Sequence, residues 1–350
     1  MDRDGGSARL ARRSQIAMLC LCLLILSGCE TVSYYAQAIA GQREVLAKSK
    51  SIEALLNDPD TEPVLQRQLK LVVALRGFAA TELSLPADKQ FTNYADLARD
   101  HVVWNVFAAP ELEIGTLEWC YPIAGCAGYR GYFNKKRAEV YAAKLSSRGY
   151  DTWIGGVSTY STLGWFDDPV LNTYVFRSDA DLAEIIFHEL AHVLLYVPGD
   201  TTFNESFATT VAREGVNRWL QSRHDEDGLI RFEKTHQQQE SFNKLIEEYR
   251  SKLNTLYDST LDDETKRANK QTLIEELRQT YLSQTGEEEG LYKHWIKSPI
   301  NNAKLNAVSF YTQLVPELQL LLQQSDGDLE TFYAESRKFS NRRKNNSEKR

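Results

Sequence analysis

Within Leu182-Ala183-Glu184-Ile185-Ile186-Phe187-His188-Glu189-Leu190-Ala191-His192, two histidines stand four residues apart and a glutamate directly follows the first. On a helix, side chains at i and i+4 share one face with Cβ atoms about 5 to 6 Å apart, so two imidazoles can hold one metal ion. Glu189 falls about 100° further round the same helix. It flanks the ion without having to bind it, and is placed to take a proton from an activated water. Metal-assisted hydrolysis is the chemistry this spacing suits.

Two histidines do not complete a zinc site, because a catalytic centre normally has three protein ligands and keeps a fourth position for water. Glu205, in Asn204-Glu205-Ser206-Phe207-Ala208, is the leading third donor. If the helix carrying the histidines and the next one are antiparallel neighbours, Glu205 faces His192. Glu214 lies nine residues on, about 13 Å along an ideal helix and out of reach, and His224 lies beyond the second helix. One zinc ion held by His188, His192 and Glu205 is therefore expected. An H-E-x-x-H run arises by chance in roughly one chain of this length per hundred, and the histidines would then be ordinary surface or core residues. The capped helix around the motif and the reach of Glu205 weigh against that.

The elements that must position these groups can be read from capping and periodicity. Ser178 or Asp179 can cap the histidine helix, acidic residues fill its first turn, and Pro198-Gly199 ends it, so residues 178–219 read as two helices joined by a short turn. From Tyr34 to about Asp100, Leu65, Leu69, Val72 and Val73 follow helical spacing, punctuated by Pro59, Pro63 and Pro86. Strands are expected between about Leu117 and Phe176, where glycines and aromatics are dense in Trp119-Cys120-Tyr121, Gly131-Tyr132-Phe133 and Thr152-Trp153-Ile154-Gly155-Gly156-Val157. Residues 233–286, rich in Glu, Lys, Gln and Leu, read as long solvent-facing helices or a partner-binding arm. The expected fold is α+β and predominantly helical. A helical region at 29–116 precedes a catalytic region at 117–219 with a small β-sheet, a second helical region spans 220–340, and a polar disordered tail follows at 341–350.

The chain has 350 residues, 42% of them hydrophobic and 25% charged, with a formal net charge of -7, which argues against a general nucleic-acid binder. Arg9, Arg12 and Arg13 precede an apolar run from Ile16 to Leu26, the pattern of a signal peptide over residues 1–28. The run is shorter than the ~20 residues a permanent span requires. Leu26-Ser27-Gly28-Cys29 resembles a bacterial lipobox, which implies cleavage before Cys29, lipidation of its thiol and a membrane anchor. Glu30 stands where an aspartate would resemble an inner-membrane retention signal, so the expected location is the cell envelope, on the outer membrane facing the periplasm. Cys20 and Cys22 leave with the signal. Cys120 and Cys126 can pair in that oxidising compartment or pack as small apolar residues, and spacing alone leaves both open.

His188-Glu189-Leu190-Ala191-His192 followed by Asn204-Glu205-Ser206-Phe207-Ala208 resembles the paired H-E-L-A-H and N-E-x-F-A motifs of gluzincin aminopeptidases. Gly125-Cys126, Tyr129-Arg130-Gly131-Tyr132-Phe133, Tyr160-Ser161-Thr162-Leu163-Gly164 and Asp168-Pro169 resemble more closely a bacterial family of putative aminopeptidases, many of them lipoproteins. The likeness covers nearly all of the mature chain, including Asn301-Asn302-Ala303 and Tyr311 through Pro316, and is densest from 119 to 215. It implies a zincin-like metallopeptidase with His188, His192 and Glu205 as ligands and Glu189 as the catalytic acid/base. Only 12 residues separate His192 from Glu205, fewer than in the larger gluzincin aminopeptidases, so their substrate-amine site is not carried over.

An oxyanion donor is also needed, and tyrosine can serve without carrying charge. Tyr160 is the first candidate, with Tyr129, Tyr132 and Tyr311 behind it. Arg130, Tyr132 and Tyr311 are the candidate substrate-binding residues, and Asn301 and Asn302 either hold backbone or approach the cleft. A peptide is the expected substrate, with exopeptidase and endopeptidase action both open. The competing reading is a lipid-anchored envelope scaffold or adaptor, with little or no activity, that keeps a metal-bearing fold.

Overall fold

The computed structural model describes residues 30–121, 125–159, 167–286, 290–309 and 313–347. Helix α1 crosses residues 30–48 and runs into strand β1 (Ser49–Ser51) and the short α2 (Ile52–Asn57), whose first turn is capped by the Ser51 hydroxyl accepting from Ala54 N–H. Helix α3 (Pro63–Glu82) opens with proline at its first position, where no N–H is missed, and buries Leu69, Val72, Leu75 and Ala79 at three- and four-residue spacing. Strand β2 (Asn93–Ala95) follows, then β3 (Val103–Pro110), β4 (Trp119–Tyr121), β5 (Gly125–Ala127), β6 (Arg130–Tyr132), α4 (Lys135–Ser146), β7 (Tyr150–Val157) and β8 (Val170–Leu171).

The remainder is helical: α5 (Asp179–Leu194), α6 (Thr201–Ser222), α7 (Glu226–Tyr257), α8 (Asp263–Thr285), α9 (Lys293–Lys297), α10 (Asn302–Ser309), α11 (Val315–Gln324) and α12 (Leu329–Ser347). The architecture is α+β and predominantly helical, as expected. Among the described residues no helix is long and apolar enough to cross a membrane.

Two small sheets hold the helices. In the first, β2 pairs antiparallel with β1 and parallel with β8. In the second, β3 is central, antiparallel to β6 on one side and, over its full length, to β7 on the other. Side chains alternate across that sheet. Val106 and Ala108 face α4, packing on Ala138, Ala142 and Leu145, while Phe107 and Ala109 face α10, packing on Ala303 and Ala307. The hairpin β4–β5 sets Cys120 directly opposite Cys126, and the two form a disulfide.

The main core joins α3, α5, α6, α11 and α12 through residues such as Leu75, Phe187, Phe207 and Phe332. Helices α7 and α8 form a separate arm with their own apolar seam of Phe242, Ile246, Tyr249, Ile274 and Leu277. The arm is tied to the second sheet by Lys270, whose buried ammonium donates to Asp151 Oδ2 at 2.6 Å and to the Glu111 carbonyl. Asn302 fixes the same corner, donating to the carbonyls of Pro110, Glu111 and Glu113, and Asn301 donates to the Thr152 carbonyl, so both asparagines hold backbone.

Two expectations are corrected. The stretch 29–116 is not helical throughout, because β3, the centre of the second sheet, lies inside it. Val103 to Ala109 is an almost unbroken apolar run buried on both faces, so it carries no two-residue alternation to mark it as a strand. The tail expected to be disordered from 341 continues α12 as far as Ser347, and Arg343 on it pairs with Asp200.

Candidate metal centre

Helix α5 begins where the Ser178 hydroxyl accepts from Asp181 N–H, with Asp179 and Asp181 complementing the dipole in the first turn. Leu182, Ala183, Ile186, Phe187, Leu190 and Ala191 bury its apolar faces, which leaves His188, Glu189 and His192 toward a cleft. The helix stops at Leu194, and the chain turns through Val197-Pro198-Gly199 into α6, whose first N–H groups are capped by Asp200 accepting from Phe203.

The amide of Asn204 clasps this turn from both sides. Its Oδ1 accepts from Val197 N–H at 2.7 Å and its Nδ2 donates to the Val197 carbonyl at 2.8 Å. Helix α12 holds the junction from outside, with Arg337 donating to the Leu194 carbonyl and Arg343 pairing with Asp200. Helix α6 thus opens at Thr201, and Glu205 lies in its second turn beside the histidines.

The three expected donors converge. His188 Nε2 is 3.1 Å from His192 Nε2, and Glu205 Oε2 is 3.3 Å from the first and 3.7 Å from the second. A tetrahedral ion with bonds of about 2.0 to 2.1 Å places its donors roughly 3.3 to 3.4 Å apart, so these three edges fit one face of a zinc tetrahedron. Among the described residues this is the one group of His, Cys, Asp or Glu able to hold a metal. Glu214, the rival acid, is paired with Arg218 at 2.7 Å instead. Nδ1 of His192 is buried with no hydrogen-bond partner among the described residues, so packing orients this ring where an outer hydrogen bond usually does.

Electrostatics couple the three groups. Burial would raise the Glu205 carboxyl, but His192 and His188 outweigh it and hold the group well below the usual carboxylate range. Burial would likewise depress His188, yet the hydrogen bond and charge of Glu205 lift it above the ordinary imidazole value. The pair therefore favours a negative carboxylate beside a group ready to take a positive charge, which is what a cation site offers.

A cleft of about 360 Å³ opens over the triad. Glu189 lines it beside the three converging groups, Asn105, Gly131 and Val157 supply its sheet wall, and the disulfide hairpin adds Tyr121 and Ala127. Tyr34 and Ala38 of α1 close another side. Gly125, at φ +76°, lets the hairpin reach the α5–α6 turn, since a Cβ there would stand 2.5 Å from Gly199 N.

The other candidates separate. Tyr129 lines the cleft. Arg130 and Tyr132 do not reach it, because β6 pairs them with Val106 and Trp104 and so turns them to the α4 face of the sheet. There the Arg130 guanidinium lies 4.1 Å from the Tyr34 ring and 4.7 Å from that of Tyr141, and it lines a separate groove of about 510 Å³ with Lys136 and Lys144. Tyr160, Tyr311 and Cys29 lie outside the described residues. Tyr196 was not anticipated: it lines the cleft just past the end of α5, its ring 6.5 Å from that of His192. Burial, with the Glu205 charge adding to it, raises its phenol, so it keeps its proton at neutral pH and can donate. Its four-residue spacing from His192 was the signal available.

The family model described as "Putative aminopeptidase" matches residues 33–350 of the chain. No curated protein and no solved structure matches it.

Proposed function

The chain belongs to the putative aminopeptidase family, and on that footing we propose that it is a zinc-dependent peptidase of the bacterial cell envelope, removing N-terminal residues from peptides. The convergence of His188, His192 and Glu205 on edges of 3.1, 3.3 and 3.7 Å, with Glu189 on the same cleft, carries the proposal. When bound, zinc polarises the scissile carbonyl and makes water more acidic. The Glu189 carboxylate takes the proton of the attacking water and hands it to the leaving amine. Tyr196 donates its O–H to the oxygen that gains negative charge. The sheet wall at Asn105, Gly131 and Val157 supports the peptide beside these groups.

The export signal in residues 1–28 and lipidation at Cys29 place this activity on the membrane, facing the periplasm, in the same proposal. The test is to measure zinc in the purified protein and to assay peptides with free and with blocked N-termini. Stoichiometric zinc and cleavage confined to free N-termini are expected. Hydrolysis of blocked peptides would remove the exopeptidase part, and absence of zinc would defeat the whole reading. Glu189→Gln should lower turnover by roughly 10²- to 10⁴-fold with zinc content unchanged, and zinc loss in that variant would make Glu189 a ligand instead.

A further inference from the structure

Helix α1 has two unlike faces. One is packed: Gln37, Gly41 and Val45 are buried against the body, and the Phe133 ring crosses Gly41 so closely that a Cβ there would meet it at 2.0 Å. At 100° per residue the opposite face carries Val32, Tyr35, Ala36, Ile39, Ala40, Leu46 and Ala47. These residues are all exposed, Val32 at 68% and Ile39 at 59%. Arg43 is the one charged residue on that face, and no acid interrupts it. Glu44 lies on the flank, spent on Arg99 and Lys48. Exposed apolar residues scattered singly need no explanation, but a helix-long apolar stripe broken by a single basic residue does.

We propose that this face of α1 lies in the lipid bilayer surface, its apolar side chains at the boundary between headgroups and acyl chains and Arg43 reaching the lipid phosphates. The occupant follows from where the helix begins. Residue 30 directly follows Cys29, so the inference rests on the reading of Cys29 as the lipid-bearing residue. With no linker between anchor and helix, α1 starts at the membrane, where an exposed apolar helix face can lie at the headgroup boundary and a basic side chain such as Arg43 can extend its charge to the phosphates. A lipid anchor and an embedded helix are also two signals, which is what stable attachment requires. Tyr34 and Ala38 of the same helix line the metal cleft, so the bilayer lies beside the cleft's mouth.

The lipidated full chain, reconstituted in vesicles of phosphatidylethanolamine and phosphatidylglycerol, carries a single spin label at Val32→Cys, at Ile39→Cys or, as control, at Ile230→Cys on the exposed side of α7. Oxygen, which dissolves in lipid, should relax the labels at 32 and 39 at least several-fold more effectively, relative to a water-soluble nickel chelate, than the label at 230. Labels at 32 and 39 as open to nickel as that at 230, in protein that floats with the vesicles, overturn the embedded helix and leave the anchor standing. Protein that does not float defeats both. Labels shielded from both reagents without vesicles, together with a doubled mass, mean that a second copy covers the face, which also overturns the proposal.

Discussion

Replacing Glu205 with glutamine tests the metal centre at its one anionic corner. Glutamine keeps the size of the side chain and removes the charge that stands 3.3 Å from His188 Nε2 and 3.7 Å from His192 Nε2. Zinc affinity should fall by more than the roughly 10- to 100-fold cost of losing an outer-shell partner, because a ligand itself is weakened. The pH dependence should move as well. Zinc needs both imidazoles neutral, and Glu205 lifts His188 above the ordinary value of ~6.5 against the pull of burial. In the native protein, log affinity should therefore begin to fall already above ~6.5 on acidification, losing about tenfold per pH unit for each proton that displaces the ion. In the variant burial is opposed only by Glu189 and Glu184, so the break should shift to lower pH even though affinity is weaker at every pH.

Competition titrations against a chromophoric chelator, from about pH 5 to about pH 8, read both quantities. Unchanged affinity with an unchanged break would refute the assignment of Glu205. The metal-free protein carries the complementary signature. Stability from the protonated His188–Glu205 pair is fully present below the unfolded imidazole value of ~6.5 and is lost as pH rises through the raised folded value.

Tyr196→Phe should lower kcat by roughly 10²- to 10³-fold with zinc retained, and an unaltered kcat would end its role as a donor. Gly125→Ala and Gly199→Ala both place a side chain at positive φ, at 76° and 85°, costing about 1–2 kcal/mol each. Only Gly125→Ala also drives a Cβ into backbone, so in urea denaturation it should lose a further ~1–3 kcal/mol; equal losses would deny the hairpin its close approach to the turn. Asn204→Ala removes both hydrogen bonds to Val197 and should cost about 1–3 kcal/mol. It should also weaken zinc binding, whereas full affinity would mean that the turn does not position Glu205.

The convergence of His188, His192 and Glu205 was legible because the two histidines repeat at the helical period and the third group lies just past the turn between the helices, so local spacing encodes the cluster. Capping residues marked the start of α5 for the same reason. Strand β3 was not legible, since a segment buried on both faces has no polar side to reveal its period. The facing of Arg130 and Tyr132 depends on the register of β6 against β3, a pairing across more than twenty residues that neither segment announces. Tyr196 escaped notice because its position depends on where α5 unwinds, and the Cys120–Cys126 bond stayed one of two alternatives because it follows from a hairpin register that spacing does not give.

Arg337 and Arg343 come 143 residues after the groups they grip at the α5–α6 junction. During synthesis the histidines and Glu205 therefore emerge long before the clamp that steadies the bend between them. The junction between the two helices is therefore completed only when the last helix docks, after every other element around the candidate site has been made. A single proteolytic nick ahead of α12 would loosen that grip from a point remote in sequence from the bend it steadies.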